Sequence, residues 1–172
     1  MVSNTPSHTQ EPIVFTAEIQ AKADAIVKQY PEGRHKSAIL PIMHLFQKQY
    51  GWVSVETQNL IADYLKLQHI EVYEVATFYT MFHLHPVGKY VLEVCRTGPC
   101  MILGAEDICK YLERKLGIKE GEITADGLFT WRTVECLGAC GYAPMMQVGD
   151  HFHEHLTPQK IDELISDWRS KA

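Results

Sequence analysis

The spacing of apolar residues changes character at His85-Pro86-Val87-Gly88, and that change constrains the fold of this 172-residue chain more than any other feature. Before it, apolar positions recur every three to four residues, the period of helices that pack by one face. Ile19, Ala23, Ile26, Val27 and Tyr30 predict a first helix over 15–30, stopped by Pro31 and Gly33. Ser37 is read as the cap of a second, with Ile39, Met43, Phe46 and Tyr50 on one face, Pro41 in the tolerant first turn and Gly51 at its close. Ser54 opens a third, with Ile61, Tyr64 and Leu65 inward, ending near Leu67 and Gln68. Val72, Val75, Ala76 and Tyr79 predict a fourth over 71–82. Four short amphipathic helices with brief connections suit a small antiparallel bundle.

After the boundary the pattern becomes that of a sheet with helices. Residues 89–95 (KYVLEVC) read as a strand, and 105–116 as a helix with Ile108, Leu112 and Leu116 inward and Gly117 just past its end. Asp126-Gly127 marks a turn before a second strand at 128–136. Residues 145–148 and 151–155 flank Gly149-Asp150 as a hairpin. The last helix has Thr157 as cap, Pro158 at its first position, and Ile161, Leu164, Ile165 and Trp168 on one face. The order β-α-β-β-β-α places the first two strands parallel around a crossover helix and the last two antiparallel. That is a thioredoxin-like sandwich. The chain is therefore read as α+β, with a disordered polar tail at 1–12, a helical bundle at 13–85 and the sandwich at 86–172.

Each of the two parallel strands runs into a pair of cysteines. Cys95-Arg-Thr-Gly-Pro-Cys100 follows the first and Cys136-Leu-Gly-Ala-Cys140 the second, so both pairs fall at the carboxyl ends of neighbouring strands, where open α/β sheets hold ligands. Glycines and short side chains let backbone N–H groups approach a thiolate and lower the cost of its charge. Two pairs supply two thiolates per iron, the donor set of a [2Fe–2S] cluster. Pairs spaced by two to four residues also suit a four-cysteine zinc site, and a dithiol or disulfide use is a third reading. The spacing is not the C-x4-C-x2-C run of plant ferredoxins, nor is there a C-x-x-C. Five cysteines, an odd number, argue against a disulfide framework. Cys109 lies mid-helix and reads as a small buried hydrophobe.

Other residues are assigned bland roles. His151, His153 and His155 alternate on one face of the last strand, read as solvated rather than as a metal site. His44, His83 and His85 are read as surface or satisfied groups. Phe78, Tyr79, Phe82 and Trp52 are read first as core, with partner contact as the alternative. Arg96 and Arg132 are candidates for tuning a bound metal. A net charge of −5 gives no general attraction to nucleic acid, and no apolar run reaches the ~20 residues of a membrane helix. There is no G-x-G-x-x-G after a strand and no Walker loop, so a nicotinamide site is expected on another chain.

Four stretches carry a resemblance: LPIMHLFQKQYGW at 40–52, VYEVATFYTMF at 72–82, PVGKYVLEVC at 86–95 and CLGACGYAPMMQV at 136–148. With them the chain resembles the family of 24-kDa subunits, called E subunits in bacteria, of proton-translocating NADH:quinone oxidoreductase, respiratory complex I. The resemblance implies one [2Fe–2S] cluster on Cys95, Cys100, Cys136 and Cys140, and an electron-transfer subunit of that enzyme with no complete active site of its own. It implies a partner of the 51-kDa flavoprotein type that binds NADH and FMN, alongside other peripheral-arm subunits. Because the helical segment carries no catalytic residues, residues 13–82 are read as the part that docks on the flavoprotein. It implies a bacterial cytoplasmic location, peripheral to the inner membrane through the complex. The same family includes diaphorase subunits of soluble NAD-linked hydrogenases and formate dehydrogenases, which is the alternative assignment.

Overall fold

The computed structural model describes residues 13–172, so the polar tail expected at 1–12 lies outside the described residues. The chain divides into two compact units, Met1–Pro86 and Val87–Ala172.

The first unit holds α1 (Ala17–Val27), α2 (Ile39–Tyr50), α3 (Val55–Leu65) and α4 (His69–Phe78). Thr16 and Ser54 cap α1 and α3 by accepting from the N–H groups of Ile19 and Thr57. Gly51 ends α2 with φ of 82°, a conformation open to glycine without strain. Ile19, Ala23, Ile39, Ile42, Met43, Phe46, Ile61, Leu65, Val72 and Ala76 form one apolar core, and Phe15 packs edge-on against Phe46 at 5.0 Å.

Three expectations change here. Ser37 does not cap α2: His35–Ala38 form a 3-10 turn and Ala38 leads into the helix. The fourth helix begins two residues earlier than predicted, where Gln68 and Glu71 form a capping box. It also ends at Phe78, because Tyr79 is extended (φ −92°, ψ 108°). Phe82 is core as expected, but Phe78 is 77% and Tyr79 38% exposed. Phe78 lies two residues from buried Ala76, hence on the opposite side of α4, and Tyr79 has left the helical stripe.

The second unit runs β1 (Tyr90–Cys95), α5 (Gly98–Ile102), α6 (Ala105–Leu116), β2 (Phe129–Val134), β3 (Met146–Val148), β4 (His151–His153) and α7 (Pro158–Ser170). The sheet order is β2-β1-β3-β4. β1 and β2 are parallel, with Tyr90 beside Phe129 and Cys95 beside Val134. β3 is antiparallel to both β1 and β4. Leu92, Val94, Phe129, Trp131, Met146, Ile108, Leu112, Ile161, Ile165 and Trp168 make its core. Tyr111 on α6 donates to Asp162 on α7 at 2.7 Å, so the two helices are joined beside that core. Glu93 and Arg132, neighbours across the β1–β2 register, form an ion pair on strand positions that alternate with the core residues.

Gly88 stands where β1 begins. A Cβ there would lie 2.5 Å from the backbone carbon of Phe129, and its N–H donates to Thr130 Oγ1 at 2.8 Å. Glycine is what permits the chain to enter the sheet against β2. The short helix α5 lies in the segment after the first strand, which is too short for a helical period to register.

Candidate functional site

Three backbone segments meet at the carboxyl end of β1. The Cys95 N–H donates to the Met145 carbonyl at 3.1 Å and the Arg96 N–H to the Val134 carbonyl at 3.1 Å. These bonds tie the end of β1 to the end of β2 on one side and to the segment before β3 on the other. Cys95 is therefore the last residue of a central strand, 2% exposed. Cys100 follows on α5, 1% exposed, with its N–H donating to the Thr97 carbonyl at 3.1 Å. Ala105, Ala143 and Met145 are buried with these two, and Leu137 and Ala139 pack on them. Cys136 lies two residues past β2 and Cys140 opens a 3-10 turn, both exposed. Their sulfurs are 3.8 Å apart. Two thiolates on one tetrahedral metal at about 2.3 Å each stand about that far from one another.

The two pairs are linked. Leu137 and Ala139, from the second cysteine loop, pack on the buried group that holds Cys95 and Cys100, and the Leu137 and Thr97 N–H groups favour the ionised Cys95 sulfur. The Met145 N–H favours the ionised Cys100 sulfur, and the Gly138 N–H donates to Cys136 Sγ at 3.4 Å, with Gly138 at φ of 80°. Thr97 Oγ1 lies 3.6 Å from Cys95 Sγ. Each of these three sulfurs thus faces backbone donors that favour its ionised form.

The thiols respond unequally. Burial pushes Cys95 upward, but the N–H groups of Thr97 and Leu137 and the Thr97 hydroxyl outweigh it and hold the thiol below its ordinary value. Burial and then the bond to Cys95 push Cys100 up to about 11. The Gly138 N–H, followed by Cys140 and Thr97, holds Cys136 down, while Cys140 is raised by its bond to Cys136. One member of each pair is thus held below its ordinary value and the other above it.

Among the described residues, no three His, Cys, Asp or Glu side chains are gathered as one metal ion requires. The Cys136 and Cys140 sulfurs stand side by side, and Cys95 and Cys100 share one buried group. A donor set of two thiolates per metal, with amide donors and no carboxylate, fits what a [2Fe–2S] cluster asks of a protein.

The remaining residues fall outside this cluster. Cys109 on α6 is half-buried, and burial followed by Glu120 and Glu106 pushes its thiol up to about 11. Arg96 pairs with Glu135 at 3.1 Å on the surface, and Arg132 with Glu93, so each of these arginines has a carboxylate partner. His151 and His153 occupy alternate positions of β4, but His155 lies beyond its end with φ of 46°. His151 and His155 are exposed as expected, His155 lying edge-on to Tyr142 at 5.8 Å, whereas His153 is half-buried edge-on to Trp168 at 5.3 Å. His44 is exposed beside Phe82 at 4.9 Å. Sequence reasoning missed Thr97 and Leu137; a threonine two residues after a cysteine was the one local signal available.

The sequence model of the family described as "Thioredoxin-like [2Fe-2S] ferredoxin" matches residues 23–169. The E subunit of the NADH-quinone oxidoreductase of Rickettsia bellii is 46% identical over 149 residues, covering 86% of this chain and 89% of that one. A second relative, one of the E subunits of the NADH-quinone oxidoreductase of Rhizobium meliloti, is 41% identical over 152 residues, covering 88% and 89%. Among solved structures, a chain of the NAD+-reducing [NiFe]-hydrogenase in the air-oxidized state superposes with a TM-score of 0.68 at 20% identity, over 77% of this chain and 23% of that chain. That likeness is one of fold, and this chain spans about a quarter of the hydrogenase chain's length.

Proposed function

The chain belongs to the thioredoxin-like [2Fe-2S] ferredoxin family, among the E subunits of NADH-quinone oxidoreductase, and on that footing we propose that Cys95, Cys100, Cys136 and Cys140 together hold its [2Fe–2S] cluster. The observation that carries this reading is the packing of Leu137 and Ala139, from the second cysteine loop, on the buried group that holds Cys95 and Cys100. A [2Fe–2S] cluster bound there supplies one-electron exchange. The chain's own residues hold the thiolates in place, donate amide hydrogen bonds to them, and cover the Cys95–Cys100 side with Ala105, Ala143 and Met145.

The electron partner we assign is the flavin of an NADH-binding subunit of the 51-kDa flavoprotein type. No helix among the described residues is long and apolar enough to cross a membrane, and the reading puts the chain at the cytoplasmic surface of the inner membrane, held by the complex. The helical unit, residues 13–82, serves to dock this protein on its partner. Its α4 supports that role, because the helix presents Val72 and Ala76 to its own core while Ile70, Tyr73 and Phe78 are exposed. Beside the cysteines, Met101, Ile102 and Leu103 on and after α5 are exposed as well, Ile102 at 85%.

A diaphorase subunit of a soluble hydrogenase is the second reading, favoured by the fold shared with the NAD+-reducing enzyme. Iron and acid-labile sulfide analysis of the full chain tests the cofactor, and co-purification with the flavoprotein subunit tests the partner. Zinc without iron would overturn the first, and no association would overturn the second.

A further inference from the structure

Thr97 occupies the N-cap position of α5, with extended backbone (φ −99°, ψ 153°). A threonine there ordinarily turns its hydroxyl onto an N–H of the helix's first turn. This one makes no such bond. Its oxygen lies 3.6 Å from Cys95 Sγ, and its main chain is pinned by the Cys100 N–H at 3.1 Å. The hydroxyl therefore faces the sulfur of the buried pair. A ligating thiolate carries no proton, so in the loaded protein the hydroxyl is the only possible donor of this contact.

We propose that Thr97 is a positioning residue for electron transfer: its hydroxyl donates to the Cys95 sulfur and favours the reduced centre over the oxidised one. The inference rests on the reading of the four cysteines as cluster ligands. Reduction takes one electron from the donor; no bond breaks and no proton is transferred at Thr97. The added negative charge is shared with the sulfurs, and a hydrogen bond to a more negative acceptor is stronger. The amides of Thr97, Leu137 and Gly138 act in the same sense but belong to the backbone, which a side-chain substitution leaves in place. The hydroxyl is the part of the network that a single substitution removes.

The test compares Thr97→Val, which deletes the hydroxyl at constant shape, with Thr97→Ser, which keeps it. Redox titration of the full chain, followed by electron paramagnetic resonance, reads the midpoint. Thr97→Val is expected to shift the reduced-to-oxidised ratio at fixed potential about tenfold toward the oxidised side, equivalent to about 59 mV for a one-electron couple. Thr97→Ser is expected to remain close to the parent. Equal midpoints and unchanged spectra in all three proteins would overturn the inference while leaving the cluster assignment standing. A parent chain without a [2Fe–2S] signal would overturn the assignment itself. Should Thr97→Val load no iron, Thr97→Ala replaces it. Loss of iron in both, with retention in Thr97→Ser, sustains a hydroxyl bond to the ligand sulfur, and loss in all three overturns it.

Discussion

The Cys136 and Cys140 sulfurs stand 3.8 Å apart on the exposed side of the site, while Cys95 and Cys100 are buried. The asymmetry gives the site a covered side and an open side. It follows that the two pairs respond differently to chemical attack. Alkylation of the metal-free chain should modify Cys136 first, because it is both exposed and held toward the thiolate, and Cys100 last. Mass-spectrometric mapping of the modified positions over time checks the order.

Cys100→Ser is expected to lose the [2Fe–2S] centre, whereas Cys109→Ser retains it. Cys109 sits on α6 outside the buried group around Cys95 and Cys100. Iron content and visible absorption of the two variants, purified alike, decide the matter.

Gly88→Ala should destabilise the second unit by about 1–3 kcal/mol or more, since its Cβ would meet Phe129 backbone at 2.5 Å and neither strand can yield without breaking the β1–β2 register. The N–H bond from Gly88 to Thr130 would be strained together with it. Urea denaturation of the full chain, monitored by Trp131 and Trp168 fluorescence, measures the loss.

His153 carries a pH dependence of stability. Burial, then Lys160 and His151, holds its imidazole below the ordinary 6.5. The unfolded chain therefore takes up this proton near pH 6.5, before the folded chain does, so stability is full above that pH and declines as pH falls below it. His153→Gln should flatten this part of the profile, as read from urea midpoints on either side of that pH.

Phe78 is 77% exposed. Phe78→Asp should leave the stability of the chain within about 0.5 kcal/mol, as for an ordinary surface substitution. Under the docking proposal it weakens association with the flavoprotein subunit at least tenfold, which surface plasmon resonance with the immobilised partner would read.

Much of this was legible in the residues because pattern and punctuation agreed. α6 ends where Gly117 predicts and α7 starts at Pro158 behind Thr157; the parallel pairing of β1 and β2 followed from a strand, a helix and a strand in succession. α5 was not legible, since a five-residue GPCMI segment is too short for periodicity and opens with glycine and proline, which read as a loop. Phe78 and Tyr79 were misread because apolar character continues beyond the end of α4 while the helical stripe does not. The packing of Leu137 on the Cys95–Cys100 group depends on two loops meeting across the sheet end, a tertiary fact that no local spacing encodes.

That four cysteines from two strand ends hold one binuclear centre is tested most directly by the reduced-state electron paramagnetic resonance spectrum of the full chain beside its Cys136→Ala variant. The expected result is a single [2Fe–2S] signal integrating to one spin per chain, abolished or severely altered by the substitution. A spectrum without that signal from protein containing zinc, or a signal indifferent to Cys136→Ala, would contradict it.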